Sequence, residues 1–293
     1  MPAVHLRYNY PVFNLSPLEP IDYLLIGHIT VDMTTQGPRL GGTTVYAGLC
    51  ARALGLRAGI VTSWGGELST EVLSSIPVVN YPAERSTTFE NIEAPEGRVQ
   101  IIHYSAPRLD LYHVPEVWRS APIVHLAPLD QEVEPTLVRS FPSALIGATA
   151  QGWMRGWDEQ GHVYPSDWPE AKFVLQRLGA AIMSRHDVNN DDEKIEEYAS
   201  SSRILVLTEG KDGAVVYWNG DVRRFRAPDV EVIDTTGAGD VFAATFLTRL
   251  YTTRDPWEAA RFATQLASIS VSRPGLEGIP THQEIEDSLV EIF

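Results

Sequence analysis

Three features of the sequence predict an α/β protein built on a mostly parallel sheet. Short apolar runs that indicate strands recur along the chain, helical patterns separate several of them, and the last quarter is helical. Continuous apolar runs are typical of parallel strands buried on both faces, and the helices between such strands form right-handed crossovers. We therefore expect a three-layer α/β/α sandwich with a mostly parallel central sheet and a small β lid.

The expected main-sheet strands begin after a short leader. Residues 1–20, in which proline recurs, are predicted to form an N-terminal arm, and residues 21–293 a single domain. Each predicted strand is a short apolar run, which is the length and composition that a buried strand has. The predicted strands are Tyr23–Gly27, Ala58–Thr62, Ile123–Leu126, Ala144–Ala148, Ala180–Met183 and Ile204–Thr208.

The helices are indicated by apolar periodicity and by residues that suit helix ends. Thr43 or Thr44 can cap a helix that runs to Leu54, and Gly55 suits the left-handed position after it. The pattern also predicts that the chain ends in helices that pack closely, because their apolar faces are rich in alanine. Further helices are expected at Glu132–Ser140, Asp191–Ser200 and Asp240–Leu250.

Two β hairpins interrupt this alternation. Residues 86–104 hold two β-rich segments around a Pro-Glu-Gly turn, and residues 215–225 hold two strands around Asn219-Gly220. The first hairpin lies within an α/β chain, so we expect it to project from the main sheet. Together with residues 33–40, it is predicted to form the lid.

The composition excludes several classes of function. The chain has 293 residues with a net charge of −15, which is unfavourable for binding nucleic acid or an anionic membrane. Its single cysteine, Cys50, excludes an intrachain disulfide framework and zinc sites built on several cysteines. It has no apolar run of the roughly 18 residues that a membrane span needs, and no signal-peptide core. We therefore expect a cytoplasmic protein whose partner is a small molecule.

One segment, Asp234–Phe242, is a candidate for phosphoryl transfer. It follows a β-rich stretch and opens into a helix, whose first N–H groups lack partners and carry partial positive charge. Gly237, Ala238 and Gly239 have almost no side chain, so an anion can approach those groups closely. Asp240 comes directly after Gly239, and a carboxylate at this position can accept the proton of an attacking alcohol. The alternative is that Asp240 only caps the helix and the glycines only turn the chain.

This segment resembles the second signature of the ribokinase-like (PfkB) carbohydrate kinases. Gly27–Asp32 resembles the opening strand of that family, Gly41-Gly42 its first signature, and Thr208–Gly213 the turn beside the nucleotide phosphates. In order and spacing, the resemblance covers about residues 22–289. It implies the ribokinase-like fold and ATP-dependent phosphorylation of a hydroxyl on a sugar or polyol. It also implies Mg²⁺, with K⁺ as a further cation, and a monomer or homodimer.

The resemblance implies a role for each matching residue. Asp240 would be the catalytic base, and the three small residues before it would form the anion hole. Asp32, as the end of the opening strand, would hold hydroxyls of the acceptor. The other implied residues are Gly41 and Gly42 for the acceptor, Thr208, Gly210, Gly213 and Gly275 for the donor, and Asp187, Asp234 and Thr236 for cations.

The chain departs from the family pattern in three places. Tyr46 stands where many members have Asn, which argues against plain ribokinase specificity. Ser184 and Asp187 stand at the ends of the family's Asn-x-x-Glu motif for Mg²⁺, so the metal geometry should differ. The segment between Asp32 and Gly41 is short, and the 86–104 hairpin is expected to cover the site in its place.

Within the family, short matches are nearest to the plant-type myo-inositol kinases. They include the aromatic residue at Tyr46, the strand at 87–90, and Gln151 followed by Arg155. A polyol offers hydroxyls and no charge, so its recognition should depend on carboxylate and amide groups. Asn91 and Gln151 are therefore expected to bind the acceptor beside Asp32.

Two other functions stay open, and a third is excluded. In a nucleoside kinase of the same fold, Tyr46 and Phe89 would stack on a base. A catalytically weak regulator that binds a sugar or nucleotide would also keep the fold. A dinucleotide oxidoreductase is excluded, because the required glycines are missing after the first strand.

Overall fold

The structure, a computed structural model, describes residues 18–94 and 97–289. The predicted arm at residues 1–20 lies outside this part except for its last three residues. The strands are β1 (Tyr23–Ile26), β2 (Thr30–Thr34), β3 (Gly37–Gly41), β4 (Ala58–Trp64), β5 (Val78–Pro82), β6 (Thr87–Ala94), β7 (Gly97–Tyr104), β8 (Ile123–Leu126), β9 (Leu145–Thr149), β10 (Arg155–Trp157), β11 (Val163–Pro165), β12 (Ala180–Ser184), β13 (Ile204–Thr208), β14 (Ala214–Trp218) and β15 (Asp221–Phe225). The α-helices are α1 (Thr43–Ala53), α2 (Ala171–Leu175), α3 (Asp192–Ser201), α4 (Ala238–Thr253), α5 (Pro256–Ser270) and α6 (His282–Leu289).

A large sheet of nine strands forms the centre, in the order β15-β14-β13-β12-β9-β8-β1-β4-β5. From β13 to β5, every neighbouring pair is parallel. Only β14 and β15, the hairpin predicted around Asn219-Gly220, run antiparallel at one edge. The six strands predicted from apolar runs are confirmed to within two residues, whereas β5 was not predicted.

Helices cover both faces of this sheet. Successive residues of a strand point to opposite faces. Leu24 belongs to an apolar cluster with side chains of α2 and α3, and Leu25 belongs to a second cluster with side chains of α1, α4 and α5. The two clusters are therefore the two halves of the core, and the predicted three-layer α/β/α sandwich is confirmed.

The parallel strands bring their carboxyl ends to one edge of the sheet. Ile26 at the end of β1 pairs with Leu126 at the end of β8, and Ser184 at the end of β12 pairs with Thr208 at the end of β13. Loops that follow these four strands, and that follow β9 between them, must therefore start side by side. Ligands of open α/β sheets bind at this edge.

A small sheet, ordered β3-β2-β6-β7, projects from the strand β1 and the loop after β5. It joins the two segments predicted for the lid: β2 pairs antiparallel with β3 and parallel with β6, and β6 pairs antiparallel with β7. In this register Asp32 lies opposite Phe89. The chain therefore passes from β1 through β2 and β3 of the small sheet directly into the first turn of α1.

Two local predictions were wrong. Gly42, with φ 95°, occupies the cap position of α1, and the Thr44 hydroxyl donates instead to the carbonyl of His28 at 3.0 Å. In place of a helix over residues 132–140, a short 3-10 helix covers Pro135–Arg139. Proline disfavours helical geometry in the residue before it, and Glu132 is buried in the preceding loop.

No helix in the described ranges is long and apolar enough to cross a bilayer.

Candidate active site

A cavity of about 330 Å³ lies at the carboxyl edge of the large sheet, beneath the small sheet. Loops after the neighbouring strands β1, β8 and β9 contribute to it, as does the start of α4. Its walls combine carboxylates, amides, one guanidinium and three large apolar side chains. The lining residues are Thr30, Asp32, Gly42, Thr43, Tyr46, Phe89, Asn91, Gln100, Leu129, Gln151, Arg155, Thr235, Thr236, Gly237, Gly239 and Asp240.

The start of α4 offers a place for an anion. Gly237 precedes the helix in the left-handed region, with φ 79°, and a side chain at Gly239 would meet nothing within 4 Å. The first N–H groups of an α-helix have no partner within the helix. Because Gly237 and Gly239 both line the cavity, an anion in it can approach those groups closely.

Asp240 lies in the first turn of α4, partly buried in the cavity wall. Loss of water contact raises the pKa of its carboxyl group to about 6, and the negative charge of Asp32 acts in the same direction. The Thr43 hydroxyl and the positive charge of Arg155 oppose this rise in pKa. Thr43 Oγ1 is buried without a partner in ordinary hydrogen-bond geometry. The carboxylate is thus ionised at neutral pH and more basic than an exposed aspartate.

Asp32 faces the same cavity from β2. The Thr30 hydroxyl donates to its Oδ1 at 2.9 Å. A Cβ atom on Gly41 would lie 2.2 Å from Asp32 Oδ2, so any side chain there would displace the carboxylate. Gly41 itself is not in the described lining of the cavity, and its contact with the Asp32 carboxylate is the link between the two.

Tyr46 extends from α1 to the loop before α4. A Cβ atom on Gly237 would lie 2.0 Å from Tyr46 Cδ1, and one on Gly275 would lie 3.8 Å from the tyrosine hydroxyl. The ring is 6% exposed. Burial raises the pKa of the hydroxyl, so it stays protonated. Tyr46, which departs from the family pattern, therefore packs beneath the candidate anion-binding loop, residues 234–239.

The two predicted amides line the cavity from different elements, Asn91 from β6 and Gln151 from the segment after β9. Asn91 Oδ1 accepts a hydrogen bond from Gln100 Nε2 at 2.9 Å, across the β6–β7 pair. Gln151 Oε1 accepts one from Arg155 Nη2 at 2.8 Å, and Arg155 Nη1 donates to the carbonyl of Leu129 at 3.1 Å. The structure thus brings the predicted acceptor residues together around one cavity, with Gly41 just behind it.

Six lining residues were not identified as site residues from the sequence: Thr30, Thr43, Gln100, Leu129, Arg155 and Thr235. Phe89 was named only for the nucleoside alternative. In the sequence, Arg155 was considered only as part of the match to the myo-inositol kinases, in which it follows Gln151. Its charge lowers the pKa of both Asp240 and Asp187 relative to burial alone. Arg155 lies in the segment after β9, and the sequence alone does not show that its charge is close to Asp240 and Asp187.

The predicted cation residues Asp234 and Thr236 lie in the loop before α4. Asp234 Oδ1 accepts from the Thr236 N–H at 2.9 Å, and Oδ2 accepts from the Gly275 N–H at 2.9 Å. Burial would raise the pKa of Asp234, but these hydrogen bonds outweigh it and lower the pKa. The carboxylate therefore joins the anion-binding loop to the loop after α5.

None of the predicted donor residues is in the described lining of this cavity. Thr208 ends β13, and Gly210, with φ 57°, has open space where a side chain would be. Gly213 has a structural reason to be glycine, since a Cβ atom there would lie 1.9 Å from the carbonyl oxygen of Phe225. Gly275 is held by Asp234, as above.

Asp187, the third predicted cation residue, lines a separate cleft of about 410 Å³. Its Oδ2 accepts from the Ser184 N–H at 2.7 Å, and Ser184 Oγ accepts from the His186 N–H at 3.2 Å. Burial raises the pKa of Asp187, and the charge of Arg155 opposes the rise. A divalent cation bound nearby would favour the ionised carboxylate and so oppose this rise in pKa. This cleft includes the start of α3, whose N–H groups at Glu193 and Lys194 already donate to the capping side chain of Asp191.

Known proteins share both the fold and part of the sequence. Residues 170–282 match the family described as pfkB family carbohydrate kinase. A solved pyrophosphate-dependent kinase of the ribokinase family, complexed with a pyrophosphate analogue and myo-inositol, superposes with a TM-score of 0.72 at 21% identity, covering 91% of this chain and all of that one. The ribokinase-like fold predicted from the sequence is therefore confirmed, and the matched segment is that of the pfkB family.

Two relatives of known activity align with different shares of the chain. The 5-dehydro-2-deoxygluconokinase of Bacillus licheniformis is 33% identical over 109 residues, which is 36% of this chain and 34% of that protein. The chain thus spans about a third of the length of that kinase. The cytidine kinase of Thermococcus kodakarensis is 22% identical over 255 residues, 78% of this chain and 87% of the relative. Both are kinases, and their acceptors differ.

Proposed function

We propose that this protein is an ATP-dependent kinase that transfers the γ-phosphoryl group to a hydroxyl of a sugar or polyol, with Asp240 as the general base. One observation carries the proposal: the Asp240 carboxylate shares a cavity with Asp32 and with the open N-terminus of α4. An attacking alcohol, its base and the anion site for the transferred group must lie within one such space.

The electrostatics of Asp240 suit a general base. With a pKa of about 6, it is ionised at pH 7 and yet basic enough to take a proton efficiently, since the best catalytic pKa lies near the operating pH. The buried hydroxyl of Thr43, which interacts with Asp240, can also hydrogen-bond the same acceptor oxygen. The N–H groups around Gly237 and Gly239 would then stabilise charge on the transferring phosphoryl group.

Asp32, Asn91, Gln151 and Arg155 supply the polar groups for the acceptor. They lie on three walls of the cavity, which suits a compact molecule with hydroxyls on several sides. We propose myo-inositol as the first acceptor to test, because the inositol-bound neighbour shares the fold. Arg155 also offers a charged donor, so a polyol that carries an acidic group belongs in the same test.

ATP with Mg²⁺ is the proposed donor. Asp187 is the residue that would organise the divalent ion, and Asp234 and Thr236 would lie nearest to K⁺. When bound, the cations neutralise charge on the phosphates during transfer. Both oxygens of Asp234 already accept N–H groups, so K⁺ would have to share them. Pyrophosphate is tested as an alternative donor because a neighbour of this fold depends on it.

A nucleoside acceptor is the second candidate, supported by the cytidine kinase relative. It requires aromatic faces for a base. Phe89 is 4% exposed and packs against Ile102 and Leu129, and the ring of Tyr46 packs on Gly237. Neither ring leaves an open face of the size that a base would cover, which favours the sugar or polyol.

The decisive experiment measures phosphorylated product with myo-inositol, ribose, fructose, cytidine and a sugar acid as acceptors. Each is tested with ATP or pyrophosphate, in Mg²⁺ with K⁺ or Na⁺, and Asp240→Asn is the inactive control. We expect transfer from ATP to a sugar or polyol that the variant lacks. Binding of an acceptor by calorimetry, without transfer from either donor, would contradict the proposal and favour the regulator.

A further inference from the structure

A buried polar cluster lies at the root of the small sheet, outside the cavity. It consists of His28, Thr87, Ser105, Asp130 and Glu132, and His28, Asp130 and Glu132 are 0%, 4% and 1% exposed. Buried charge is costly unless paired and hydrogen-bonded. Nothing in the transfer step described above uses these residues, so the cluster requires its own explanation.

The cluster joins the starts of β2 and β6 and the end of β7 to the loop after β8. His28 precedes β2, Thr87 begins β6, Ser105 follows β7, and Asp130 follows β8. His28 Nδ1 lies 2.7 Å from Thr87 Oγ1 and 3.4 Å from Asp130 Oδ1, and the Ser105 hydroxyl donates to Asp130 Oδ2. These contacts span four chain segments that are far apart in sequence.

The hydrogen bonds also assign the protons of His28. Nε2 lies 3.0 Å from the carbonyl oxygen of Pro107, which only accepts, so Nε2 carries hydrogen. Thr87 Oγ1 accepts from the Ala106 N–H at 2.9 Å and lies 3.3 Å from Asp130 Oδ2. If the Thr87 hydroxyl donates its one hydrogen to Asp130 Oδ2, it can only accept from His28. The Nδ1 atom of His28 must then carry a hydrogen as well. This assignment places a positive ring beside the Asp130 carboxylate, whose Oδ1 lies 3.4 Å from Nδ1 and has no hydrogen-bond partner among the described residues.

We propose that His28 is a positioning residue: as an imidazolium ion held by Asp130, it fixes the small sheet over the acceptor cavity. The inference deepens the proposed function, because it concerns how the same acceptor site is shaped. β2 carries Asp32 and Thr30 into the cavity, and β6 carries Phe89 and Asn91. A shift at their shared root would displace all of them.

The charged groups that face His28 in the described structure are Asp130 and Glu132. Burial alone would lower the pKa of His28, but these two carboxylates raise it overall. Glu132 accepts the N–H groups of His28, Leu129 and Asp130, and burial together with the charge of Asp130 raises its pKa to about 7. Because the folded-state pKa lies above the ordinary value, about 6.5 for histidine, the stability that the ion pair contributes is lost only as the pH rises through that raised pKa.

The cluster has the composition of a metal site, since ligand atoms of His28, Asp130 and Glu132 lie within 4.8 Å of one another. Each of these side chains, however, already meets hydrogen-bond donors or acceptors. A bound metal would have to remove the Nδ1 proton and displace Thr87. We therefore favour a protonated His28 over a bound metal ion. The experiment below also measures whether a metal ion is bound.

The matched comparison is His28→Gln against His125→Gln. His125 is equally buried, on the neighbouring strand β8, but its partners are Tyr23 and Thr149 and burial lowers its pKa to about 3. We expect His28→Gln to raise the acceptor KM at pH 7 by roughly fivefold or more, a size typical of coupled network residues, with the donor KM nearly unchanged. His125→Gln should lower only the Tm.

Two readouts separate a positioning role from a structural one. The wild-type acceptor KM should rise as the pH increases through the raised pKa of His28, and this rise should vanish in His28→Gln. Nitrogen NMR should show both ring nitrogens of one histidine protonated at pH 7, with this signal missing in His28→Gln. A neutral His28, or a stoichiometric metal that only His28→Gln loses, would overturn the proposal.

A milder pair of variants covers the case in which His28→Gln fails to fold. Thr87→Val removes the bridging hydroxyl and keeps both charges, whereas Thr87→Ser restores the hydroxyl. Amide hydrogen exchange of β6 and β7 should quicken in Thr87→Val and return toward wild type in Thr87→Ser. Exchange is measured without substrate, so it tests this inference even if no acceptor is phosphorylated. Unchanged exchange in Thr87→Val would contradict it.

Discussion

The ring of Tyr46 packs directly against Gly237, where a Cβ atom would lie 2.0 Å from Tyr46 Cδ1. Gly237 also has φ 79°, a conformation that side chains disfavour. Two independent constraints therefore require glycine at this position. Since Gly237 lies where α4 begins, the ring of Tyr46 leaves no room for a side chain at the start of this helix.

Gly237→Ala should disable transfer while leaving the protein folded. The methyl group would push Tyr46 or the loop away and misplace the N–H groups, and losing such a donor typically lowers kcat by about 10²–10³-fold. Gly55→Ala is the matched control, because Gly55 has φ 87° but open space around it. It should lower Tm and leave kcat unchanged. Equal kcat in the two variants would refute the role assigned to the loop.

Activity should fall at acid pH because Asp240 must be ionised to accept a proton. With its pKa at about 6, kcat should decrease as pH drops through about 6. Asp240→Asn should lower kcat by about 10²–10⁴-fold, the usual worth of a general base. A pH–rate profile at saturating substrates checks this. A loss of less than about tenfold in the variant would rule out the base assignment.

The same substitution should stabilise the protein at neutral pH. The folded carboxyl binds its proton more tightly than the unfolded one, so ionising it above pH 6 costs folding free energy. Asp240→Asn removes this cost, on the order of 1–2 kcal/mol after solvent screening. Its Tm should exceed that of the wild type at pH 8, and the difference should disappear below about pH 4. A lower Tm at pH 8 would contradict the raised pKa.

Much of this site could be predicted from the sequence because its residues belong to local patterns. The start of α4 and the Gly41-Gly42 turn are fixed by neighbouring residues, and helix starts follow local rules. The large sheet followed from its apolar runs for the same reason.

What escaped prediction depends on contacts between distant segments. Arg155 reaches Leu129 and Gln151 only because the loops after β8 and β9 are adjacent. The cluster at His28 joins residues up to 104 positions apart, which no local pattern reveals. The failed helix at 132–140 has the same origin, since Glu132 is drawn into that cluster.

Asp32→Asn should shift the acid limb of the pH–rate profile, which is the fall in kcat at low pH, to lower pH. The charge of Asp32 raises the pKa of Asp240, so removing that charge lets Asp240 ionise more easily, by roughly half to one pH unit. The acceptor KM should also rise by about tenfold or more, because a charged hydrogen-bond partner is lost. Donor KM serves as the internal control and should stay constant. An unchanged acceptor KM would show that Asp32 does not hold the acceptor.

Arg155 should act on the acid limb with the opposite sign. Its positive charge lowers the pKa of Asp240, so Arg155→Gln should shift the limb to higher pH by roughly half to one unit. Arg155→Lys keeps the charge but loses the planar pair of bonds to Gln151 and Leu129. Its limb should therefore stay near that of the wild type, while its acceptor KM rises. The comparison separates charge from geometry: if both variants shift the limb equally, Arg155 acts by shaping the loop and not through its field at Asp240.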